Sequence, residues 1–309
     1  MSIELIISLV KANIVLAVLL TNTILLIWFE RKVVAGMQSR VGPDRAGPFG
    51  ILQTLADAIK LLLKEQILPS KADRAMYLLA PLIALVPSFL IFMIIPLGPD
   101  ITVEWQNALY TIPLVGADLN VGVLYFLALS SIAVYSVVLA GWSSGSKYPL
   151  LGGVRASAQM ISYEAAMGLA LVPVILYSGS LSLVDIVNSQ SGNLSSSIPI
   201  LNTIVSFIPK WNIFPQFVAF GIFFIAAVAE VNRAPFDLVE AEQELVGGFH
   251  TEYSGFRFAM FFLAEYINMF NMCAITATFF LGGWLGPTFE GFLPPILSAI
   301  MPIIWLGVK

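Results

Sequence analysis

The sequence contains very few of the residues from which redox and metal sites are usually built. Its 309 residues include one cysteine, Cys273, and one histidine, His250. A single thiol cannot form an intrachain disulfide or hold an iron-sulfur cluster by itself. A single imidazole excludes a histidine-cluster metal site and disfavours a histidine proton relay. We therefore expect any redox cofactor to belong to partner proteins.

Charged residues are also scarce. They make up 11% of the chain, whereas hydrophobic residues make up 58%. The mean hydropathy of +0.89 is far above that of an average soluble domain. The composition therefore predicts a membrane protein.

Seven apolar segments are long enough to cross about 30 Å of hydrocarbon. They are approximately Leu5 to Phe29, Met76 to Leu97, Val121 to Trp142, Ala158 to Tyr177, Phe214 to Ala229, Phe258 to Leu281 and Phe292 to Leu306. The sequence predicts an all-α fold, a polytopic membrane helical bundle with about seven transmembrane helices. We expect residues 1–309 to form a single membrane domain.

The basic residues are distributed unevenly over the predicted loops. Three alternate loops hold 12 of the 15 lysine and arginine residues. The positive-inside rule places these loops on the inside and the N-terminus on the outside. The predicted acidic inside loop, residues 231–255, then faces the same compartment as the basic loops.

The first inside loop contains an amphipathic pattern over residues 49–66. Leu52, Leu55, Ile59 and Leu62 recur at helical spacing, with Asp57 on the opposite side. This pattern predicts an amphipathic interfacial helix that lies on the membrane surface or at an interface. A helix that covers a cavity mouth is the alternative.

Acidic residues are concentrated near one end of the chain. Seven of the 19 fall between Glu230 and Glu265, although the surrounding sequence is apolar. An ionised group near the bilayer centre costs about 2.5 to 3.5 kcal/mol, so one that persists usually faces a polar cavity or proton path. Glu164 and Glu265 lie inside predicted helices, and Glu230 closes one.

Glu240 and Glu244 share one face of a predicted short helix, because they are four residues apart. Crowded carboxylates of this kind can hold and pass protons near neutral pH. A solvated acidic loop is the alternative. A metal site is disfavoured, since no Asp/Asn/Gly loop at calcium-site spacing is present.

Three segments resemble a known family. They are "FERKVVAGMQSRVGPDRAGPFGILQTLADAIKLLLKE", "GWSSGSKYPLLGGVRASAQMISYE" and "AEVNRAPFDLVEAEQELVGGFHTEYSGFRFAMFFLAEY". They are similar to the H subunit of bacterial NADH:quinone oxidoreductase, the respiratory complex I, and to its mitochondrial and photosynthetic counterparts. That family usually has eight transmembrane helices.

The resemblance implies a membrane-arm subunit of a proton-pumping NAD(P)H or ferredoxin:quinone oxidoreductase, with no catalytic residue in this chain alone. It implies a quinone tunnel and an acidic channel that couples quinone reduction to proton translocation. The implied quinone-tunnel residues are Glu30, Arg31, Asp57, Arg233 and Phe236. The implied proton-channel residues are Glu164, Glu230, Glu240, Glu242, Glu244 and Glu265, with Arg233 and Arg257 as the nearest basic partners.

The resemblance also implies the partners and the compartment. Quinone is the substrate, and no iron-sulfur cluster or flavin is expected in this chain. The implied partners are peripheral-arm iron-sulfur subunits, antiporter-like membrane subunits and membrane lipid, with no nucleic acid. The expected location is an energy-coupling membrane: the bacterial cytoplasmic membrane, the mitochondrial inner membrane or the thylakoid.

Three other functions are compatible with intramembrane acids. A membrane anchor subunit of an energy-converting hydrogenase shares the "PFDL" and "EAEQEL" type of stretch, but transfers electrons without quinone. A stand-alone proton or ion transporter is a second alternative. A structural anchor whose acids only bind partner loops is the third.

Overall fold

The structure is a computed structural model that describes residues 3–105, 108–193, 209–237, 246–286 and 295–309. Glu240, Glu242 and Glu244 lie outside these described residues. Their predicted place in the acidic channel therefore stays a prediction.

Nine α-helices occupy the described part of the chain. They are α1 (Ile3–Met37), α2 (Gln53–Leu63), α3 (Arg74–Met93), α4 (Gly122–Ser143), α5 (Lys147–Ser178), α6 (Leu183–Ser189), α7 (Phe217–Glu230), α8 (Gly255–Phe280) and α9 (Pro295–Val308). Seven of them, all except α2 and α6, overlap the seven predicted apolar segments. Helices α1, α3, α4, α5 and α8 are long and apolar enough to cross a membrane, and α7 is a shorter apolar helix. The predicted helical membrane fold is confirmed.

One β-hairpin was not predicted. Strand β1 (Ile101–Trp105) pairs antiparallel with β2 (Ala108–Ile112), so that Ile101 lies opposite Ile112. These strands are rich in β-branched and aromatic residues, which favour extended backbone. Each strand has only five residues, too few for a search based on long apolar segments to detect.

The predicted helix boundaries were wrong at several ends. Helix α1 continues to Met37 instead of ending near Phe29, and α5 begins at Lys147 instead of Ala158. Hydropathy marks only the apolar part of a helix, whereas the backbone hydrogen bonds continue into its polar ends. As a result Glu30 and Arg31, which the boundary prediction placed just beyond the helix, lie on a regular helix.

The chain divides into two compact units. The first contains Met1–Leu90, Leu129–Ser162 and Val228–Phe270, and the second contains Ile91–Ala128, Tyr163–Ala227 and Asn271–Lys309. The contacts described below for the candidate site all lie within the first unit.

The core of the first unit fixes the segment that precedes α8. The rings of Tyr77 and Tyr253 stack with centroids 4.0 Å apart, and the Tyr77 hydroxyl donates to the Glu252 carbonyl at 2.7 Å. A Cβ atom at Gly152 on α5 would lie only 2.8 Å from the Gly248 Cα atom, so this close approach requires glycine. Residues 246–254 are therefore packed against α3 and α5.

The second unit contains a buried polar network and an aromatic core. The Gln190 amide donates to the Thr278 carbonyl at 2.9 Å, and its oxygen accepts from the Asn212 backbone N–H at 3.1 Å. Phe223 packs against Phe279 and Phe280. Helix α6 was not predicted either, although Ser182 caps it by accepting from the Asp185 N–H.

Helix α2 forms within the predicted amphipathic stretch. Leu55, Ile59, Leu62 and Leu63 are exposed, whereas Thr54 is buried. Its polar edge therefore packs against the protein, and its apolar face is turned outward.

Candidate functional site

The centre of the candidate site is an arginine shared by two carboxylates. Arg233 Nη1 donates to Glu30 Oε1 at 2.9 Å, and Arg233 Nε lies 3.3 Å from Glu265 Oε1. The three side chains are each between 24% and 35% exposed, so the ion pairs are largely shielded from solvent. We call Glu30, Arg233 and Glu265 the arginine triad. Its members come from α1, from the segment after α7 and from α8.

Tyr266 contacts two members of the arginine triad, Glu30 and Arg233. Its hydroxyl donates to Glu30 Oε2 at 2.8 Å, so both oxygens of that carboxylate are engaged. The Arg233 guanidinium carbon lies 4.8 Å from the centroid of the Tyr266 ring, within the range of a cation–π contact. Tyr266 therefore orients both Glu30 and Arg233.

The guanidinium keeps its charge in this environment. Burial acts to lower the pKa of Arg233, but the contact with Tyr266 and the nearby Glu265 and Glu30 outweigh it and raise the pKa above its usual range. The arginine triad therefore contains one permanent positive charge and two groups that can each take a proton.

A short turn carries Arg233 to this position. Asn232 has a φ angle of 54°, in the left-handed region, and the Phe236 N–H donates to the Arg233 carbonyl at 2.8 Å. The side-chain amide of Gln159 on α5 donates to the carbonyls of Ala229 at 3.1 Å and Phe236 at 2.8 Å. Because one amide holds both ends of the turn, α5 fixes where Arg233 lies.

A second ion pair joins α1 to α2. Arg31 Nη1 donates to Asp57 Oδ2 at 2.5 Å, and the Gln53 amide donates to Asp57 Oδ1 at 3.1 Å. Burial acts to raise the pKa of Asp57, but the hydrogen bonds from Arg31 and Gln53 outweigh it and lower the pKa below its usual value. Arg31 is 47% exposed, so this pair is worth at most about 1 kcal/mol and acts mainly as a tether.

A cavity of about 430 Å³ adjoins Glu30, and we call it the Arg31 cavity. Its polar lining consists of Glu30, Arg31, Arg40 and Tyr266. Its other lining residues are Val34, Ala35, Val41, Gly42 and Pro43. The volume lies in the range of about 300 to 1,000 Å³ that is typical of small-molecule sites.

A smaller cavity of about 60 Å³ adjoins Glu265, and we call it the Glu230 cavity. Its polar lining consists of Ser136, Glu230, Asn232, His250, Glu265 and Asn268. A buried water requires only about 10 to 15 Å³ of such space, so the cavity has room for water. The two carboxylates of the arginine triad therefore line different cavities: Glu30 the Arg31 cavity and Glu265 the Glu230 cavity.

Glu230 is held by a serine. The Ser130 hydroxyl on α4 donates to Glu230 Oε1 at 2.9 Å, and the two residues are only 3% and 6% exposed. His250 lies in the same cavity wall, where burial lowers its pKa from 6.5 to about 4. Its imidazole is therefore neutral at physiological pH.

A comparison with known families identifies the family to which this chain belongs. A family model described as NADH dehydrogenase matches residues 10–309. This chain belongs to the NADH dehydrogenase family.

Several members of the NADH dehydrogenase family match nearly the whole chain. The second H subunit of NADH-quinone oxidoreductase from Koribacter versatilis is 48% identical over 313 residues, which cover 99% of this chain and 84% of the relative. The protein of the same name from Syntrophobacter fumaroxidans is 50% identical over 299 residues, which cover 97% and 81%. That from Geobacter metallireducens is 51% identical over 292 residues, which cover 90% and 79%. The predicted resemblance to the H subunit is confirmed, and with five long apolar helices this family member is a multi-pass membrane protein.

Most of the residues predicted for the quinone tunnel lie near one another in this chain. Glu30 and Arg31 line the Arg31 cavity, and Arg233 and Asp57 contact them directly. Phe236 is half-buried, and its carbonyl is held by Gln159.

The structure brings two of the predicted proton-channel residues together. Glu230 and Glu265 line one cavity, whereas Glu164 is half-buried on α5 within the second unit. The guanidinium of Arg257, predicted as a second basic partner, lies 5.5 Å from the Tyr77 ring centroid.

Four residues of the site were not singled out from the sequence: Ser130, Gln159, Asn232 and Tyr266. Tyr266 stands directly after Glu265, so the "AEY" triplet was a usable signal. Ser130 and Gln159 carried no such signal, because their partners are far away in the sequence. Ser130 is 100 residues from Glu230, and Gln159 is 77 residues from Phe236.

Proposed function

We propose that this chain is the membrane subunit of an NADH:quinone oxidoreductase complex, and that it forms part of the quinone tunnel and of the proton path that begins there. The observation that carries the proposal is the arginine triad, in which one guanidinium serves two carboxylates that line different cavities. The names of the relatives support both the electron donor and the quinone.

The Arg31 cavity has the chemistry that a quinone headgroup needs. The two carbonyl oxygens of a quinone accept hydrogen bonds, which Arg31 and Arg40 can donate. Val34, Ala35 and Val41 offer apolar surface for the ring and the first part of the tail. Asp57 and Phe236 act indirectly, because Asp57 holds Arg31 and Phe236 ends the turn that carries Arg233.

The arginine triad couples the two cavities electrostatically. Conversion of a quinone to a quinol takes up two electrons, which partner subunits supply, and two protons. When Glu30 gains or loses a proton in that step, the strength of the ion pair between Arg233 and Glu265 changes. A proton on one carboxyl therefore strengthens the ion pair between Arg233 and the other carboxylate.

The proton path continues from Glu265. The Glu230 cavity joins Glu265 to Glu230, and both are carboxyl groups that can carry a proton. Glu164, Glu240, Glu242 and Glu244 extend the path as further proton-channel residues. A redox event at the quinone is thereby converted into a redistribution of protons.

This role requires partners. The peripheral-arm iron-sulfur subunits would supply the electrons, and antiporter-like membrane subunits would receive the electrostatic signal. The complex would be located in an energy-coupling membrane. This chain contributes binding and proton transfer, and is not an enzyme by itself.

The test is Glu265→Gln in the assembled complex, with quinone reduction and proton pumping measured in the same membranes. Glutamine keeps the shape of the side chain but cannot exchange a proton, so we expect loss of pumping. The matched control is Glu65→Gln, which removes an exposed carboxylate from the loop after α2. Wild-type turnover and pumping in Glu265→Gln would contradict the proposal and favour a structural anchor.

A further inference from the structure

Glu230 is one of the most deeply buried acids in the described part of the chain, with an exposure of 6%. It is the last residue of α7, and its Oε1 atom accepts the Ser130 hydroxyl at 2.9 Å. Ser130 belongs to a different helix, α4, and is itself 3% exposed. This hydrogen bond therefore fixes the rotation of a buried carboxyl group from a neighbouring helix.

The carboxyl group adjoins a cavity with the properties of a water site. The Glu230 cavity has a volume of about 60 Å³ and is lined by polar side chains from four segments of the chain. Asn232 Oδ1 is buried and has no hydrogen-bond partner among the described residues. Buried polar atoms of this kind are usually satisfied by ordered water, and a water needs two to four such partners.

The remaining wall of the cavity limits the alternatives for proton transfer. His250 is neutral at physiological pH, because burial lowers its pKa to about 4. Asn232 and Asn268 offer amide groups, which bind water but do not exchange protons in this pH range. Of the side chains that line this cavity, Glu230 and Glu265 are the two carboxyl groups.

We infer that Ser130 is a positioning residue, whose hydroxyl orients the Glu230 carboxyl so that it exchanges a proton with Glu265 through water in the Glu230 cavity. The inference rests on the proposed function and adds a residue to it. In the step, an O–H bond breaks at one carboxyl and an O–H bond forms at the other. The bridging water is regenerated, and the net charge of the pair does not change.

Ser130→Ala removes the hydroxyl and creates little space. Because Glu230 loses the hydrogen bond that orients its carboxyl group, we expect the rate of quinone-linked proton pumping to fall about tenfold or more in the assembled complex. Ser130→Thr keeps the hydroxyl and should restore most of the rate. The control is Ser144→Ala, since Ser144 is buried but donates to the Ala140 carbonyl four residues before it.

A second readout separates orientation from general damage. Infrared difference spectra between the oxidised-quinone and reduced-quinone states should contain a carboxyl band that is absent in Glu230→Gln. We expect this band to shift in Ser130→Ala and to return in Ser130→Thr. If Ser130→Ala fails to assemble, Ser130→Cys keeps the size with a weak donor and should shift the band in the same way.

The outcomes distinguish this inference from the proposed function. Loss of pumping in Glu265→Gln together with wild-type pumping and an unshifted band in Ser130→Ala or Ser130→Cys would overturn the role of Ser130 alone. Wild-type pumping in both Glu230→Gln and Glu265→Gln would overturn the proton path itself. A threonine variant that behaves like alanine would also contradict the inference, because the hydroxyl is retained.

Discussion

At Arg233 a single guanidinium lies 2.9 Å from Glu30 and 3.3 Å from Glu265. Two carboxylates share one cation, so a change at one of them alters the ion pair of the other. The contact with Glu30 is a hydrogen bond, whereas the longer contact with Glu265 is an ion pair without hydrogen-bond geometry. This asymmetry leaves room for the arginine to strengthen its contact with Glu265 when Glu30 becomes neutral.

Arg233→Lys tests whether the shared geometry matters beyond the charge. Lysine keeps the positive charge but has no planar fork that can face two carboxylates at once. The pairs are about one-third exposed, so we expect a loss of about tenfold in coupled turnover instead of complete inactivation. The comparison is Arg45→Lys, at an exposed arginine, which should retain wild-type turnover. Equal rates in the two variants would show that charge alone is sufficient.

The burial of His250 predicts that the protein loses stability at acidic pH. Its pKa is lowered from 6.5 to about 4 by burial, so between these values the unfolded chain binds a proton that the folded chain does not. Stability is therefore lost as the pH falls from about 6.5 towards 4, by about 2 kcal/mol at pH 5. Glutamine cannot take up this proton, so His250→Gln should flatten the dependence.

The measurement for His250 is the thermal unfolding of the subunit within the purified complex at pH 7 and pH 5. The wild-type complex should lose more stability than His250→Gln between the two values. An identical loss in both would mean that His250 is not held neutral by burial.

Helix α2 presents an apolar face that nothing in the described part of the chain covers. Leu63 is 84% exposed, whereas Thr54 on the other side is buried and donates to the Ile24 carbonyl of α1 at 3.4 Å. The Arg31–Asp57 pair tethers the same polar edge. These contacts orient the apolar face outward, as expected for a helix in the membrane interface.

Spin labels test the location of α2, because the chain has one native cysteine to replace. In a Cys273→Ser background, we expect a label at Leu63→Cys to be accessible to oxygen dissolved in lipid. A label at the neighbouring Lys64→Cys should be more accessible to a water-soluble nickel complex. If both labels prefer the water-soluble quencher, α2 does not lie in the membrane.

The sequence predicts the long apolar helices better than the helix ends and the short elements. The long apolar helices were found because about 20 apolar residues have few other stable states in a membrane. The ends of α1 and α5 were misplaced, because polar residues continue a helix without changing its hydropathy. The β1–β2 hairpin and α6 were missed, since five to seven residues carry too weak a periodic signal.

The uneven distribution of basic residues predicts how the chain is oriented in the membrane. The N-terminus is expected outside, with the basic loops and the acidic inside loop on the opposite side. In the Cys273→Ser background, Ser70→Cys in the loop after α2 should react with an impermeant maleimide only from the inside. Asp100→Cys, in the loop after α3, should react only from the outside. The reverse pattern in vesicles of known orientation would contradict the predicted topology.

The candidate site itself was only partly predictable from the sequence. An ionised acid in an apolar segment costs free energy on insertion into the membrane, so its presence there is unusual. Glu230 and Glu265 could be singled out for this reason. Their partners could not be found in this way. Glu30 and Arg233 are separated by 203 residues, and only the fold brings their side chains to 2.9 Å.

The most direct test of the account is a double-mutant cycle on the arginine triad. Quinone-linked proton pumping would be measured for Glu30→Gln, Glu265→Gln and the double variant, with assembly of the complex checked for each. If Glu30 and Glu265 act as one unit through Arg233, the double variant should lose no more activity than the more severe single variant. A double variant whose loss equals the product of the two single losses would contradict the coupling.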